Sequence, residues 1–294
     1  WCGKIELEPD FDELEMVEEA ASITVNTSPD NLLIKDEPTH EAGYFAYYNK
    51  GIFDNGPVPL VMGHHGGGDT AMFLTFVSGW WEIAHKYNFL YVAIDDHLSF
   101  PASEIMQIIE GIKKRYKVDE NRIYATGFSM GSGKTWDMFQ EYPDVFAGLA
   151  PHSALFPVHN NPFGKSIGDE GMNMSIMVPM FYSGGEKSFL GELPCQNKDS
   201  LDRIKYLSSV NKFKRPINVD FADKDNWEDR IWGIPGDKVE KLHDDERDST
   251  VTVHYFDSED GVCRTALASI SNQIHECRHH SCEESWKFIS QFTR

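Results

Sequence analysis

The sequence predicts an α/β fold: a mostly parallel sheet with helices on both faces and loop insertions over the carboxyl ends of the strands. Three observations point to it. Short apolar runs alternate with stretches of helical periodicity through the middle of the chain. Two of those runs, 58–62 and 89–94, are almost continuously apolar, as strands buried on both faces must be. A serine between two glycines stands where a third run gives way to a helical pattern. The 294 residues, 40% hydrophobic and 25% charged, are enough for one sizeable core. A single domain over 1–294 is therefore expected, with residues 1–21 a loose acidic arm.

The elements follow in chain order. Residues 6–19 are acidic with mixed periodicity, which suits a short solvated helix or an arm. Runs at 22–25, 32–34 and 43–48 suit early strands, bounded by Pro29, Asp30, Pro38 and a turn region at 51–59. Residues 58–62 read as a buried strand that runs into His64-His65-Gly66-Gly67-Gly68. A helix around 76–87 feeds the strand 89–94, which stops at Asp95-Asp96. Ile105, Ile108, Ile109 and Ile112 recur every three to four residues and predict a helix over 103–116 with a core-facing stripe. Next come a strand at 122–126, a sharp turn at 127–131 and a helix at 134–142 closed by Pro143. Further strands are expected at 176–182 and 251–256. A last helix at 283–292 carries Trp286, Ile289 and Phe292 on one face. The stretches 151–175 and 187–249, rich in Pro, Gly, Asn and charge, read as insertions that shape a substrate site.

Composition excludes several classes of partner. Forty-seven acidic against 27 basic side chains give a formal net charge of −20, which repels phosphate backbones and anionic lipid surfaces. Neither nucleic acid nor membrane is an expected partner. No apolar run reaches the length that spans a bilayer, and the N-terminus lacks the basic and apolar regions of a signal peptide. The chain is thus either cytosolic or has lost a leader. The cysteines, Cys2, Cys195, Cys263, Cys277 and Cys282, are too few for a disulfide scaffold. One or two bridges, Cys277 to Cys282 or Cys263 to Cys277, and an extracytoplasmic home compete with buried free thiols.

The chemistry is carried by Gly127-Phe128-Ser129-Met130-Gly131. In the pattern G-x-S-x-G the glycines let a strand turn abruptly into a helix and hold the serine strained and exposed, as a nucleophile requires. An overlapping run, Gly131-Ser132-Gly133-Lys134-Thr135, imitates the end of a phosphate-binding loop. That loop needs a glycine where Phe128 stands, so nucleotide binding is set aside. The glycines at 66–68, directly after a buried strand, let backbone N–H groups approach a developing oxyanion. Gly67 is the expected donor there, with Gly66 next, and the Met130 N–H is the second. A flexible turn followed by a helix cap is the bland alternative.

In this arrangement the triad runs serine, acid, histidine along the chain. His275, His279 and His280 are the candidate bases, and His275 is favoured because it lies between the last strand and the last helix. The acid should follow the strand at 176–182. Glu186 is the first carboxylate available, with Glu192, Asp223 and Asp225 as alternatives. Zinc ligation by the His275–Cys282 cluster is a rival reading, but its spacing matches no common structural finger, and no metal is expected. Trp80 and Trp232 are the candidate substrate-binding aromatics, alongside Trp81, Phe156, Phe163 and Trp227. Core packing is the commoner fate of such residues.

Three segments resemble the polyhydroxybutyrate depolymerase and feruloyl esterase group, carbohydrate esterase family one-like α/β-hydrolases. They are VMGHHGGGDT at 61–70, GWWEIAHKYNFLYVAIDD at 79–96 and NRIYATGFSMGSGKTWDMFQEYPDVFAGLAPHSA at 121–154. The resemblance implies a secreted, cofactor-free serine esterase acting on feruloyl or acetyl esters of plant cell-wall polysaccharide, or on hydroxyalkanoate polyesters. It maps the nucleophile to Ser129 and the base to His275. The chain departs from the family at the acid, where an aspartate after a Gly-Thr-x turn is replaced by Ser183-Gly184-Gly185-Glu186-Lys187. A serine peptidase of the prolyl oligopeptidase type shares the elbow, but it ordinarily carries a propeller domain for which this length has no room. A non-catalytic binding module on the same fold is the remaining alternative.

Overall fold

The computed structural model describes residues 14–23, 40–95, 101–154, 157–161 and 164–294, with 14–23 and 40–42 as backbone alone. Among these residues ten strands form one sheet: β1 (Leu14–Ile23), β2 (His40–Asn49), β3 (Val58–His64), β4 (Leu90–Ile94), β5 (Val118–Phe128), β6 (Gly148–His152), β7 (Met180–Gly185), β8 (Lys238–Asp244), β9 (Ser249–Asp257) and β10 (Cys263–Ile270). They lie in the order β1-β2-β4-β3-β5-β6-β7-β10-β9-β8. The six central strands, β4 to β10 in that order, run parallel. The edge pairs on either side are antiparallel.

Helices cover both faces. One side carries α3 (Ala102–Arg115), α4 (Met130–Glu141) and α5 (Lys198–Val210), whose Ile105, Ile109, Trp136, Phe139, Ile204 and Leu207 share one apolar core. The other carries α2 (Trp80–Tyr87) and α6 (His279–Ile289), which bury Trp80, Ile83, Trp286 and Ile289 in a second core. Before α2 comes the short α1 (Ala71–Val77), whose N-terminus Thr70 caps by accepting the Phe73 N–H. The isoleucine stripe of α3 is fully buried, and Lys113, Lys114 and Arg115 close its last turn, where cations suit the helix dipole. No helix of the described residues is long and apolar enough to cross a membrane.

Several expectations shift. Residues 14–21, expected in a loose acidic arm or a short helix, belong to a strand instead, because β1 pairs with β2 over its whole length; residues 1–13 of that expectation lie outside the described residues. The run 32–34 lies outside the described residues, as do positions 24–25 of the run 22–25. Helix α4 begins directly after Ser129, four residues before the predicted start, so packing overrides the poor helix propensity of Gly131, Ser132 and Gly133. Strand β7 starts at Met180, later than predicted. Asn173 Oδ1 instead accepts the N–H groups of Ser175 and Ile176, holding that approach as a turn. The stretch 187–249 is more than an insertion, since it contributes α5 to the core and β8 to the sheet edge.

The carboxyl ends of the parallel strands are aligned by register. Gly127 pairs with His64, Phe128 with His152, His152 with Ser183, and Gly185 with Ile270. Residues that follow these positions therefore emerge along one edge of the sheet.

Candidate active site

Ser129 occupies the corner between β5 and α4 with φ 53 and ψ −117, a backbone conformation that a non-glycine residue adopts only under constraint. The constraint comes from both sides. Its N–H donates to the His152 carbonyl at 3.1 Å and its own carbonyl accepts the Gly133 N–H at 3.2 Å. No side chain fits at the flanking glycines: a Cβ on Gly127 would stand 2.1 Å from the Gly131 carbonyl oxygen, and one on Gly131 would stand 2.0 Å from that of His64. The strand can thus pass into the helix in one residue only with glycine at both places.

His275 reaches this serine, with Nε2 2.9 Å from Ser129 Oγ. Its other nitrogen, Nδ1, lies 2.6 Å from Glu192 Oε1. A carboxylate oxygen accepts, so Nδ1 donates to it, and the Nε2 lone pair is left facing the serine hydroxyl. Glu192 is almost wholly buried, 1% exposed, against 17% for the His275 side chain. Its two oxygens also accept the Gly185 N–H at 2.8 Å and the Ser188 hydroxyl at 2.6 Å. Tyr182 Oη donates to its backbone carbonyl at 2.8 Å, so backbone and side chain are both anchored.

Glu186, the expected acid, does not reach the histidine. It follows β7 directly, but its Oε1 accepts from Ser269 Oγ at 3.1 Å and its Oε2 faces Arg230 at 3.5 Å, not an imidazole. The chain instead loops out after Glu186 and returns, bringing Glu192 under the histidine. Asp223 and Asp225 lie exposed in a 3₁₀ turn. His279 faces Glu82 from the first turn of α6, where His280 also sits. Gly185 makes room for the segment that carries His275, since a Cβ there would stand 2.4 Å from the Gln273 carbonyl oxygen. The cue for Glu192 was Gly184-Gly185, ending seven residues upstream, which marks close backbone approach but not which carboxylate turns inward.

The glycine loop packs against the corner. A Cβ on Gly67 would stand 2.5 Å from Met130 Sδ, and one on Gly66 would stand 3.0 Å from the Phe128 ring. The structure thus brings Gly67 and Met130 together beside Ser129. His64 and His65 hold the loop from below. His64 Nδ1 donates to the Thr126 carbonyl at 3.0 Å, and the His65 ring lies between the carbonyls of Gly66 and Asp95. Burial pushes His64 down to about 3, only partly opposed by that hydrogen bond. His152 beneath the serine is pushed down to about 3 by burial alone. Both imidazoles are neutral at ordinary pH.

The aromatic expectations are also corrected. Trp80 and Trp232 are fully buried. Trp80 stacks on Tyr91 with an interplanar angle of 4°, and Trp232 meets Tyr182 edge to face. Phe156 and Phe163 lie outside the described residues. The rings that do flank the site are Phe128, stacked on His275 at 4.8 Å, and Phe189, edge-on to it at 6.1 Å and 83% exposed. Leu190 and Ile274 beside them are exposed as well. The thiols of Cys195, Cys263, Cys277 and Cys282 are free, and Cys263 turns to the Thr265 carbonyl, not to Cys277.

No family model matches the chain. Poly(3-hydroxyalkanoate) depolymerase C of Paucimonas lemoignei is 32% identical over a 113-residue alignment that covers 32% of this chain and 27% of that protein. The match thus spans about a quarter of that relative's length. Among solved structures, a serine-to-alanine mutant of the feruloyl esterase module from Clostridium thermocellum, complexed with sinapinate, superposes with a TM-score of 0.57 at 12% identity. That comparison covers 98% of this chain and 90% of the other. Acetyl xylan esterase from Aspergillus awamori gives a TM-score of 0.57 at 12% identity, covering 93% and 99%. The fold is that of the α/β-hydrolases.

Proposed function

We propose that this chain is a serine carboxylic ester hydrolase, with Ser129 as nucleophile, His275 as general base and Glu192 as the acid that orients it. The reading rests on one observation, the unbroken relay from the strained serine through His275 to a buried carboxylate, at 2.9 and 2.6 Å. In the first half-reaction His275 Nε2 takes the hydroxyl proton as Ser129 Oγ attacks the ester carbonyl. The tetrahedral oxyanion receives the N–H groups of Met130 and Gly67. The intermediate then collapses, and His275 returns the proton to the departing alcohol. Water, deprotonated by the same imidazole, releases the acid from the acyl-enzyme. No step calls for a cofactor. A positioned oxyanion donor contributes on the order of 100-fold to 1000-fold in rate.

The substrate we favour is a feruloyl or acetyl ester of plant cell-wall polysaccharide, met outside the cytoplasm. Whole-length likeness of fold to a feruloyl esterase module and an acetyl xylan esterase supports it. A hydroxyalkanoate polyester or oligomer is the second reading. It is favoured by the identity to a depolymerase and by the exposed Phe189, Leu190 and Ile274 near the base, which suit an apolar chain.

The test is an ester panel of methyl ferulate, acetylated xylan and hydroxybutyrate oligomers on wild type beside Ser129→Ala, with a fluorophosphonate probe on both. Turnover of one class, abolished in the mutant together with labelling, supports the reading. Unchanged turnover in Ser129→Ala refutes it. Failure of the wild type to label points to a binding module, and cleavage of peptides in place of esters points to a peptidase.

A further inference from the structure

Below the nucleophile lies a buried cluster that the proposed reaction does not use. His152, whose carbonyl holds the Ser129 N–H, ends β6, and its ring meets Ser183 Oγ at 2.7 Å through Nδ1 and Ser285 Oγ at 3.5 Å through Nε2. Beside it the sulfurs of Cys277 and Cys282 are 3.3 Å apart, and one ligand atom from each of the three residues falls within 4.8 Å of the others. Cys277 is two residues beyond His275, and Cys282 is in the first turns of α6. The segment between is already tied down: Ser153 Oγ donates to the Glu276 carbonyl at 2.7 Å, and Arg278 reaches Ser249 Oγ at 2.8 Å.

We propose that Cys277 and Cys282 form an intramolecular disulfide, a covalent modification site that joins the segment carrying His275 to α6. A small side-chain rotation would close 3.3 Å to the roughly 2.05 Å of an S–S bond. The same separation fits a shared metal poorly, because two thiolates on one tetrahedral zinc, each about 2.3 Å from it, stand roughly 3.8 Å apart. His152 is moreover occupied by two serine hydroxyls. The oxidant is a disulfide of the glutathione class. The Cys277 thiolate attacks it, forming a mixed disulfide and expelling one thiol, and the Cys282 thiolate then displaces the second. Two cysteine thiols are oxidised, one external disulfide is reduced, and the two cysteine protons leave on the two released thiols. Burial holds the Cys282 thiol well above its usual range, so exchange takes place as the chain folds or opens, not in the closed native state. The link's value for turnover rests on His275 being the base, but its formation does not.

The experiment is refolding in oxidised and in reduced glutathione, followed by alkylation, peptide mapping, metal analysis and thermal melting. In the oxidised sample a linked peptide spanning Cys277 and Cys282 is expected, two hydrogens lighter than its reduced form, with Cys195 and Cys263 alkylated. Its Tm should be higher by about 3 °C, the gain expected for so short a loop, and dithiothreitol should abolish that gain. Cys263→Ala should retain the difference and Cys282→Ala should lose it. Should Cys282→Ala fail to fold, the wild-type peptide map decides alone. Full alkylation of both cysteines after oxidative refolding overturns the proposal, as does an equivalent of zinc or copper bound with both thiols retained. Neither readout uses ester turnover, so the outcome is independent of the esterase reading.

Discussion

Glu192, not Glu186, is the carboxylate on His275: its Oε1 lies 2.6 Å from Nδ1, while Glu186 spends its side chain on Ser269 and Arg230. Only the charged oxygen at 192 holds the imidazole with its proton on Nδ1. Glu192→Gln offers an amide that can turn its NH₂ toward the ring and favour the wrong tautomer. We expect kcat on an aryl ester to fall by about 100-fold to 10,000-fold, with fold and Tm nearly unchanged, whereas Glu186→Gln stays within about 2-fold. Steady-state kinetics of the two variants side by side check this. Equal losses would return the acid to an open question.

Phe189 is expected to shape the substrate site. It is 83% exposed and edge-on to the His275 ring, so it presents apolar surface where an aromatic or aliphatic ester group would lie. Aromatic contacts of this kind contribute about 0.5–1.5 kcal/mol, or roughly 2-fold to 10-fold in binding. Phe189→Ala should raise KM for methyl ferulate by that factor while kcat and fluorophosphonate labelling of Ser129 hold. A change in kcat without KM would instead assign the ring to positioning of the base.

Acid should unfold the protein through its buried histidines. His64 and His152 sit at about 3 in the fold against 6.5 for the free side chain. Below pH 6.5 the unfolded chain binds protons that the native state refuses, so their contribution is complete above that pH and drains as pH falls toward 3. Each gives a slope of about 1.4 kcal/mol per pH unit. Asp137, raised by burial to about 6 from 3.8, has the opposite sign: its contribution is complete below 3.8 and lost as pH rises through 6. Between pH 6 and 4 it offsets one histidine, leaving a net loss of about 1.4 kcal/mol per unit from the three. Urea midpoints at pH 7, 6, 5 and 4 measure it, and a flat profile would contradict the assignment.

Two glycine substitutions should act in opposite directions. Gly127→Ala drives a Cβ into the Gly131 backbone at 2.1 Å, where no flexible side chain can yield, and should cost more than about 4 kcal/mol or leave no soluble protein. Gly111→Ala meets nothing within 4 Å on an exposed face of α3 and should stabilise by about 0.5–1 kcal/mol. Chemical denaturation of both variants, with expression yield for the first, tests the pair.

The strained corner at Ser129, its flanking glycines and the helix α3 were legible because each depends on local chemistry. G-x-S-x-G imposes a strand-to-helix corner through three adjacent positions, and an isoleucine every three or four residues makes a helix stripe whatever it packs against. Chain order narrowed the base to His275, His279 and His280, and the place of His275 between the last strand and the last helix favoured it. Helix α5 was missed although Leu201, Ile204, Leu207 and Val210 repeat every three residues behind an Asn197 cap, because the polar residues around it read as loop.

What the sequence determined by itself is therefore the fold class, the corner at Ser129 and the pool of residues that partner it. Tertiary structure alone decided which member of each pool is used. A carboxylate's role depends on the donors around it, and Glu192 wins over Glu186 because the loop after β7 folds back and buries it against Gly185, Ser188 and His275. Trp80 and Trp232 turned inward for the same kind of reason: a large ring gains most where neighbouring elements enclose it, and which neighbours those are is set by strand order rather than by spacing along the chain.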